Sequence, residues 1–250
     1  MKVLKARSLG VWTSDGEPLL RDIDLEVGEG EFLLLCGKPG SGKTVLCKAL
    51  KGIIDSTERG GEEGTGLKRR GAVERRGRVE MVFQDPARAI MRQKVERDVA
   101  FGLENAGLPR EEMRERIHHY AGLLKARPLL QKGVEELSLG ELTKVALLGA
   151  LVLEPELIIL DEPLASLDYE SRGLLLTSLD RLKDLGKALI VAEHDLRELL
   201  GRAERVLLLQ EGRISAEGKP LEMAGGLYDQ GLKLPFKEEL CLRLERLQSS

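Results

Sequence analysis

The sequence has few aromatic side chains, few cysteines and no long apolar run, and each shortage removes a class of function. Aromatics make up 3% of the 250 residues, which leaves little for reading single-stranded nucleic acid by base stacking. Charge nearly cancels, with 39 Lys and Arg against 42 Asp and Glu and a net charge of −3. No strongly basic surface is therefore on offer to a polyanion, and no nucleic-acid partner is expected. Cys36, Cys47 and Cys241 stand apart without metal-site spacing, so a reducing cytosolic compartment and buried or inert thiols are expected. There is no N-terminal signal pattern and no apolar stretch near the ~18 residues of a membrane span, so a membrane role has to come through a partner. What is present, 42% hydrophobic and 32% charged residues, describes a globular chain long enough to bury a good-sized core.

The chain is organised around Gly37-Lys38-Pro39-Gly40-Ser41-Gly42-Lys43-Thr44. An apolar run, Phe32 to Cys36, precedes it, and a helical pattern from Val45 to Leu50 follows. Strand, glycine-rich loop, Lys-Thr and helix form a P-loop for nucleotide phosphates. Its backbone N–H groups and the helix dipole face the anion, Lys43 is expected to reach the β- and γ-phosphates, and the Thr44 hydroxyl to ligate Mg²⁺.

Residues 1–31 read as short strands and a hairpin turning at Asp15-Gly16, with Ile23, Leu25 and Val27 alternating at period two. From Asp55 to Arg78 glycines sit among mixed charges, which reads as a loosely folded, solvated excursion. Its basic pairs are alternatively placed to touch an anion. Val79 to Phe83 resumes a strand, and Pro109 opens a helix with Met113, Ile117, Tyr120 and Leu124 on one face. His118 and His119 on that helix read as surface residues, with no third metal ligand in view. Leu142 to Leu153 reads as a buried helix. Strands at Leu157–Leu160, Ala188–Ala192 and Val206–Leu209 are then separated by a helix from about Tyr169 to Leu185 and by another after His194. Fully apolar strands alternating with helices predict an α/β protein with a parallel sheet covered on both faces.

Leu157–Leu160 runs into Asp161-Glu162-Pro163. Asp161 at a strand end can hold Mg²⁺ and complete the site begun by Thr44, and Glu162 can orient or deprotonate a water attacking the γ-phosphate. Between the two motifs lies Leu137-Ser138-Leu139-Gly140-Glu141. Taken alone, Ser138 and Glu141 have capping-box spacing and read as a helix cap.

Six segments in one order change that reading: GKPGSGKT, Gln84 of VFQDP, LSLGE, LIILDEP, Ser166-Leu167-Asp168, and His194 after a strand. In this combination the chain resembles the ATP-binding-cassette (ABC) ATPases over nearly its whole length. The resemblance implies a P-loop ABC ATPase fold: a parallel core sheet, an N-terminal antiparallel β subdomain, and a helical signature subdomain at about residues 86–150. Residues 1–220 would form the ATPase domain and 221–250 a C-terminal extension. It further implies ATP hydrolysis with Mg²⁺ in a dimer that sandwiches two ATPs, each held by one chain's P-loop and capped by the other's signature. By position, Gln84 would contact Mg²⁺ or the lytic water. Ser138, Leu139, Gly140 and Glu141 would face the partner's ATP. Asp168 would communicate across the dimer, and His194 would hold the γ-phosphate and Glu162 in register.

Two departures stand out. The usual LSGGQ signature is LSLGE here, so Leu139 adds bulk and Glu141 a negative charge beside the phosphate it would cap; that suggests a pair of unlike cassettes with one weakened site. The adenine-stacking aromatic is replaced at its counted position by Thr13. Adjacent Trp12 either substitutes for it or belongs to the core.

The stretch from Val95 to Gly102, with Glu104–Pro109 and Glu112–Ile117, resembles the energy-coupling-factor (ECF) ATPases, which include cobalt and nickel importers. The tail agrees, with Gly231–Pro235 leading a helix that carries Phe236, Leu240, Leu244 and Leu247. That helix would either help two ATPases dimerise or pack on its own domain. The implied partners are a second ABC ATPase chain, a transmembrane ECF-type coupling protein and a substrate-binding membrane subunit, at the cytoplasmic face of the membrane. The alternatives are a soluble cassette acting on nucleic acid or ribosomes and a regulatory cassette with weak hydrolysis. The first lacks its usual coiled-coil insertion or tandem cassette, and Lys43, Asp161, Glu162 and His194 speak against the second.

Overall fold

The computed structural model describes residues 1–54, 66–165 and 167–248. Nine strands are described: β1 (Lys2–Thr13), β2 (Pro18–Gly28), β3 (Phe32–Cys36), β4 (Leu67–Arg75), β5 (Val79–Val82), β6 (Leu157–Asp161), β7 (Ala188–Glu193), β8 (Arg205–Gln210) and β9 (Arg213–Gly218). The helices are α1 (Lys43–Lys51), α2 (Val95–Asn105), α3 (Arg110–Leu123), α4 (Leu139–Leu151), α5 (Tyr169–Asp184), α6 (Pro220–Asp229) and α7 (Phe236–Gln248).

The central sheet runs β5-β6-β7-β3-β8-β9, parallel except for β9 at its edge. Alternation along its apolar strands sorts side chains to two cores, as the period of two requires. Phe32, Leu34, Ile158, Leu160, Leu189 and Val191 join the core under α2 to α5. Leu33, Leu35, Leu157, Ile159, Ile190 and Leu207 join the core shared with α1, β1 and β2. Both faces being covered explains why these strands read as unbroken apolar runs.

A smaller antiparallel sheet, β2-β1-β4, packs beside it. β1 and β2 form the expected hairpin, but as strands of 12 and 11 residues rather than short ones, bent by register shifts near Ser8 and Leu9. β4 corrects the expectation for residues 55–78. Leu67–Arg75 is an edge strand paired with β1, Val11 opposite Arg69 and Ala6 opposite Val73. Of that stretch, residues 55–65 lie outside the described residues. Arg75 ties the strand to the P-loop helix: its Nε donates to the Leu50 carbonyl at 2.6 Å and its Nη2 to the Ala49 carbonyl at 3.1 Å. Those are carbonyls of the last turn of α1, and that of Ala49 also accepts from the Gly52 N–H at 3.2 Å.

One other expectation changes. No long helix follows His194; Leu196 N–H donates to the Lys233 carbonyl, and the chain makes one short helical turn at Leu200–Arg202. Val95–Asn105 is a helix, its Val95, Val99 and Leu103 buried at i, i+4 and i+8. On α7, Phe236, Leu240 and Leu244 are exposed, while the side chain of Leu247 lies outside the described residues. Cys36 and Cys47 are buried as expected and Cys241 is exposed. Burial pushes the Cys36 thiol up to about 12. No helix among the described residues is long and apolar enough to cross a membrane.

Arg75→Ala should lower the free energy of urea unfolding by about 1–3 kcal/mol, because two α1 carbonyls lose a charged donor. An unchanged midpoint would separate β4 from the stability of α1.

Candidate active site

Strand order decides which residues meet. β7 lies between β3 and β6, with Cys36 opposite Glu193 and Asp161 opposite Ala192. The C-terminal ends of three neighbouring strands therefore bring the P-loop, Asp161-Glu162 and Glu193-His194 together. In an open parallel sheet, ligand sites form at those ends.

The loop after β3 turns tightly. A Cβ on Gly37 would stand 2.4 Å from the Leu209 carbonyl and 2.6 Å from Ser41 Oγ, and Gly42 has a φ of +104°. Only glycine meets both demands. α1 begins at Lys43 with no side-chain cap on its first N–H groups, which leaves them for an anion. Lys43 is buried, and its Nζ donates to the carbonyls of Gly37 at 2.8 Å and Lys38 at 3.3 Å.

The Thr44 hydroxyl donates to Asp161 Oδ1 at 3.1 Å. Asp161 is 1% exposed. Burial raises its pKa, the Thr44 hydrogen bond opposes that shift, and neighbouring Glu162 adds to it. A buried carboxylate with a single neutral donor suits a hard cation, which prefers oxygen ligands. Thr44 and Asp161 together could hold Mg²⁺, and Gln84 reaches the neighbouring Glu162 with its amide nitrogen. The described residues contain no cluster of three His, Cys, Asp or Glu for a metal, so phosphate oxygens would complete the shell.

Glu162 is the point of convergence. Its backbone is left-handed, at φ 46°, and its N–H donates to the Ala192 carbonyl on β7. Gln84 Nε2 donates to its Oε2 at 3.0 Å, while Lys43 Nζ lies 3.6 Å and His194 Nδ1 3.4 Å from its Oε1. A carboxylate so held, beside the P-loop, can take a proton from a water aimed at a terminal phosphate.

Ser138 to Glu141 are not part of this cluster. Ser138 caps α4, its Oγ accepting from Glu141 N–H at 3.3 Å while Glu141 Oε2 accepts from Ser138 N–H at 2.9 Å. The helix cap expected of that stretch is present, and Leu139 beside it is 40% exposed. Glu141 also pairs with Lys132 at 2.8 Å, and that contact lowers its pKa. The negative charge of Glu141 is therefore already paired within the chain. A Cβ on Gly140 would lie 2.2 Å from Ser171 Oγ, so the start of α4 presses on the start of α5. Asp168 caps α5, accepting from the Ser171 N–H at 2.8 Å and the Ser171 hydroxyl at 3.1 Å. Ser166 lies outside the described residues.

Trp12 and Thr13 end β1. Trp12 is half-buried, lies over Gly10, and has the Arg70 guanidinium 5.5 Å from its ring centre. Thr13 holds the hairpin turn, its hydroxyl accepting from Glu17 N–H at 3.0 Å. The same hairpin reaches the P-loop, because a Cβ on Gly42 would meet Leu20 at 3.0 Å. His118 and His119 are exposed on α3.

Sequence reasoning passed over Glu193 and Arg172. Glu193 is 2% exposed, and its oxygens accept from Leu164 N–H at 3.1 Å and His194 N–H at 3.2 Å. The available signal was a charge closing an otherwise apolar strand. Burial raises its pKa from 4.5 to about 6 against the pull of those two N–H donors.

A family model described as "ABC transporter" matches residues 20–165. The energy-coupling factor transporter ATP-binding protein EcfA1 of Enterococcus faecalis is 34% identical over 92% of this chain and 84% of its own length. EcfA1 of Bacillus subtilis is 37% identical over 88% of this chain and 80% of its own. Among solved structures, cbiO1 from Clostridium perfringens, part of the ABC transporter complex cbiONQ, superimposes with a TM-score of 0.76 at 28% identity. That match covers 89% of this chain and 90% of cbiO1.

The raised Glu193 pKa carries a stability prediction. The folded chain holds this proton more tightly than the unfolded one, so the contribution is fully present below pH 4.5 and is lost as pH rises through about 6. Across that window the unsubstituted chain should lose about 2 kcal/mol relative to Glu193→Gln. Urea titrations of both proteins at pH 4.5, 6 and 7.5 measure it, and parallel pH profiles would contradict it.

Proposed function

The chain belongs to the ABC transporter ATPase family, and we propose that it is the ATP-hydrolysing subunit energising a membrane importer of the ECF type. The observation that carries the catalytic part is the convergence of Lys43, Gln84 and His194 on Glu162, beside the Thr44–Asp161 pair. The ECF part is supported by the names of relatives that are 34% and 37% identical over most of the chain.

In this reading Gly37–Thr44 cradle the ATP phosphates with backbone N–H groups, and Lys43 exchanges the Gly37 and Lys38 carbonyls for β- and γ-phosphate oxygens. Thr44, Asp161 and Gln84 would hold Mg²⁺, whose charge would offset that building on the phosphates. Glu162 accepts the proton of the attacking water, and His194 steadies Glu162 and the γ-phosphate. Trp12 and Thr13 lie on the hairpin beside the base. Ser138, Leu139, Gly140 and Glu141 cap the ATP of a second cassette, with Asp168 at the seam between the two chains.

Closure on two ATPs and reopening after hydrolysis would move a transmembrane coupling protein docked near Gln84, with a substrate-binding membrane subunit completing the assembly. We assign residues 1–220 to the ATPase domain, with the helical subdomain at about 86–150, and residues 221–250 to an extension. Exposed Phe236, Leu240 and Leu244 on α7 suit packing against a second ATPase chain. The chain works at the cytoplasmic face of the membrane, where ATP is available. Vitamins and transition-metal ions are the cargo classes, and other subunits select among them.

Glu162→Gln should keep ATP binding while lowering kcat by roughly 100-fold or more, and trap an ATP-bound dimer visible by gel filtration. Turnover at the unsubstituted rate would remove Glu162 as the base. Purification of the tagged chain from membranes in mild detergent should recover a transmembrane coupling protein and an ATPase partner. Recovery of ribosomes or DNA in their place would sink the transport reading.

A further inference from the structure

Two loops leave the strand ends at this site, and one side chain grips both. The first runs from Glu162 to Asp168 and includes Leu164; the second begins at His194. Glu193, the last residue of β7, has its Oε1 on the Leu164 N–H at 3.1 Å and its Oε2 on the His194 N–H at 3.2 Å. The carbonyl of Leu164 is held as well, by Arg172 Nη2 at 3.3 Å, and Arg172 Nη1 pairs with Glu198 at 3.1 Å. The Leu164 residue is thus fixed on both sides of its Cα. The His194 ring needs such support, since its Nδ1 has no hydrogen-bond partner among the described residues and lies 3.4 Å from Glu162 and 3.7 Å from Glu193.

A fully buried carboxylate is an expensive way to end a strand whose preceding residues, Ala188 to Ala192, are all apolar. Another apolar residue would fill the position at less cost but would leave two backbone N–H groups unpaired. The gain from a carboxylate here is that one rigid group with two oxygens sets the spacing between the two loops.

We propose that Glu193 is a positioning residue for ATP hydrolysis, holding the Leu164 and His194 backbone amides so that the imidazole stays beside Glu162. This rests on the assignment of Glu162 and His194 given above. Glu193 acts through His194 and touches neither the phosphates nor the water. Its loss should therefore slow turnover and spare ATP binding, which belongs to the P-loop.

The test uses the full chain, purified in the complex that accompanies it, as Glu193→Leu, Glu193→Gln and Glu162→Gln. Leucine removes both acceptors and glutamine keeps one. kcat should fall roughly 10- to 100-fold in Glu193→Leu and less in Glu193→Gln, with KM for ATP within about twofold in both. Unsubstituted kcat in Glu193→Leu would overturn the proposal, and so would kcat, KM and melting temperature all worsening together. If Glu162→Gln turned over at the normal rate, the catalytic assignment would fail instead. If Glu162→Gln were inactive and Glu193→Leu normal, only the present inference would fail. Amide hydrogen exchange of the unsubstituted protein provides a readout that no substitution can confound. The Leu164 amide should exchange slowly, and rapid exchange would overturn the proposal whatever the variants do.

Discussion

Carboxylates at the ends of apolar strands are the constraint from which the site follows. Asp161 and Glu193 are 1% and 2% exposed and close neighbouring strands of one sheet. Each can remain there only if donors are aimed at it, because an ionised group out of water is costly unless paired. Thr44 serves Asp161, and the Leu164 and His194 amides serve Glu193. These obligatory hydrogen bonds fix the P-loop helix, the loop to α5 and the start of the β7–β8 connection relative to one another. The arrangement built to satisfy buried charge is therefore also the arrangement in which Glu162 receives Lys43, Gln84 and His194.

The order of strands does the rest. Placing β7 between β3 and β6 puts the residues that follow β7 between the P-loop and Asp161-Glu162, even though more than twenty residues separate Glu162 from His194 along the chain. A parallel sheet with both faces covered leaves polar side chains few places except strand ends, and all those ends point the same way. β3, β7 and β6 each hand their last residues to the same cleft.

Much of this could be read from the residues alone, and the exceptions have physical causes. The strands at Phe32–Cys36, Leu157–Leu160 and Ala188–Ala192 declared themselves because burial on both faces demands unbroken apolar runs. β4 did not, since an edge strand carrying Lys68, Arg69 and Arg70 has only one paired side and leaves Lys68 and Arg70 exposed. No long helix forms after His194, although Leu196, Leu199 and Leu200 have helical spacing. There the backbone of Leu196 bonds to Lys233 instead, a partner far along the chain that no local pattern reveals. Gln84, Asp161, Glu162 and His194 were legible as candidates through the order of motifs. Glu193 was not, because a charge at a strand end looks like an exit into solvent until the strands on either side of it are known.

The two middle residues of the LSLGE stretch are under opposite kinds of restraint. Gly140 is packed so tightly against Ser171 that a single added methyl group would collide with it, whereas Leu139 stands 40% exposed at the tip of α4. Position 139 is thus less restrained by packing than position 140, which the contact with α5 holds to glycine. Under the capping role proposed above, position 139 answers to the partner's nucleotide, and the glycine beside it to the fold.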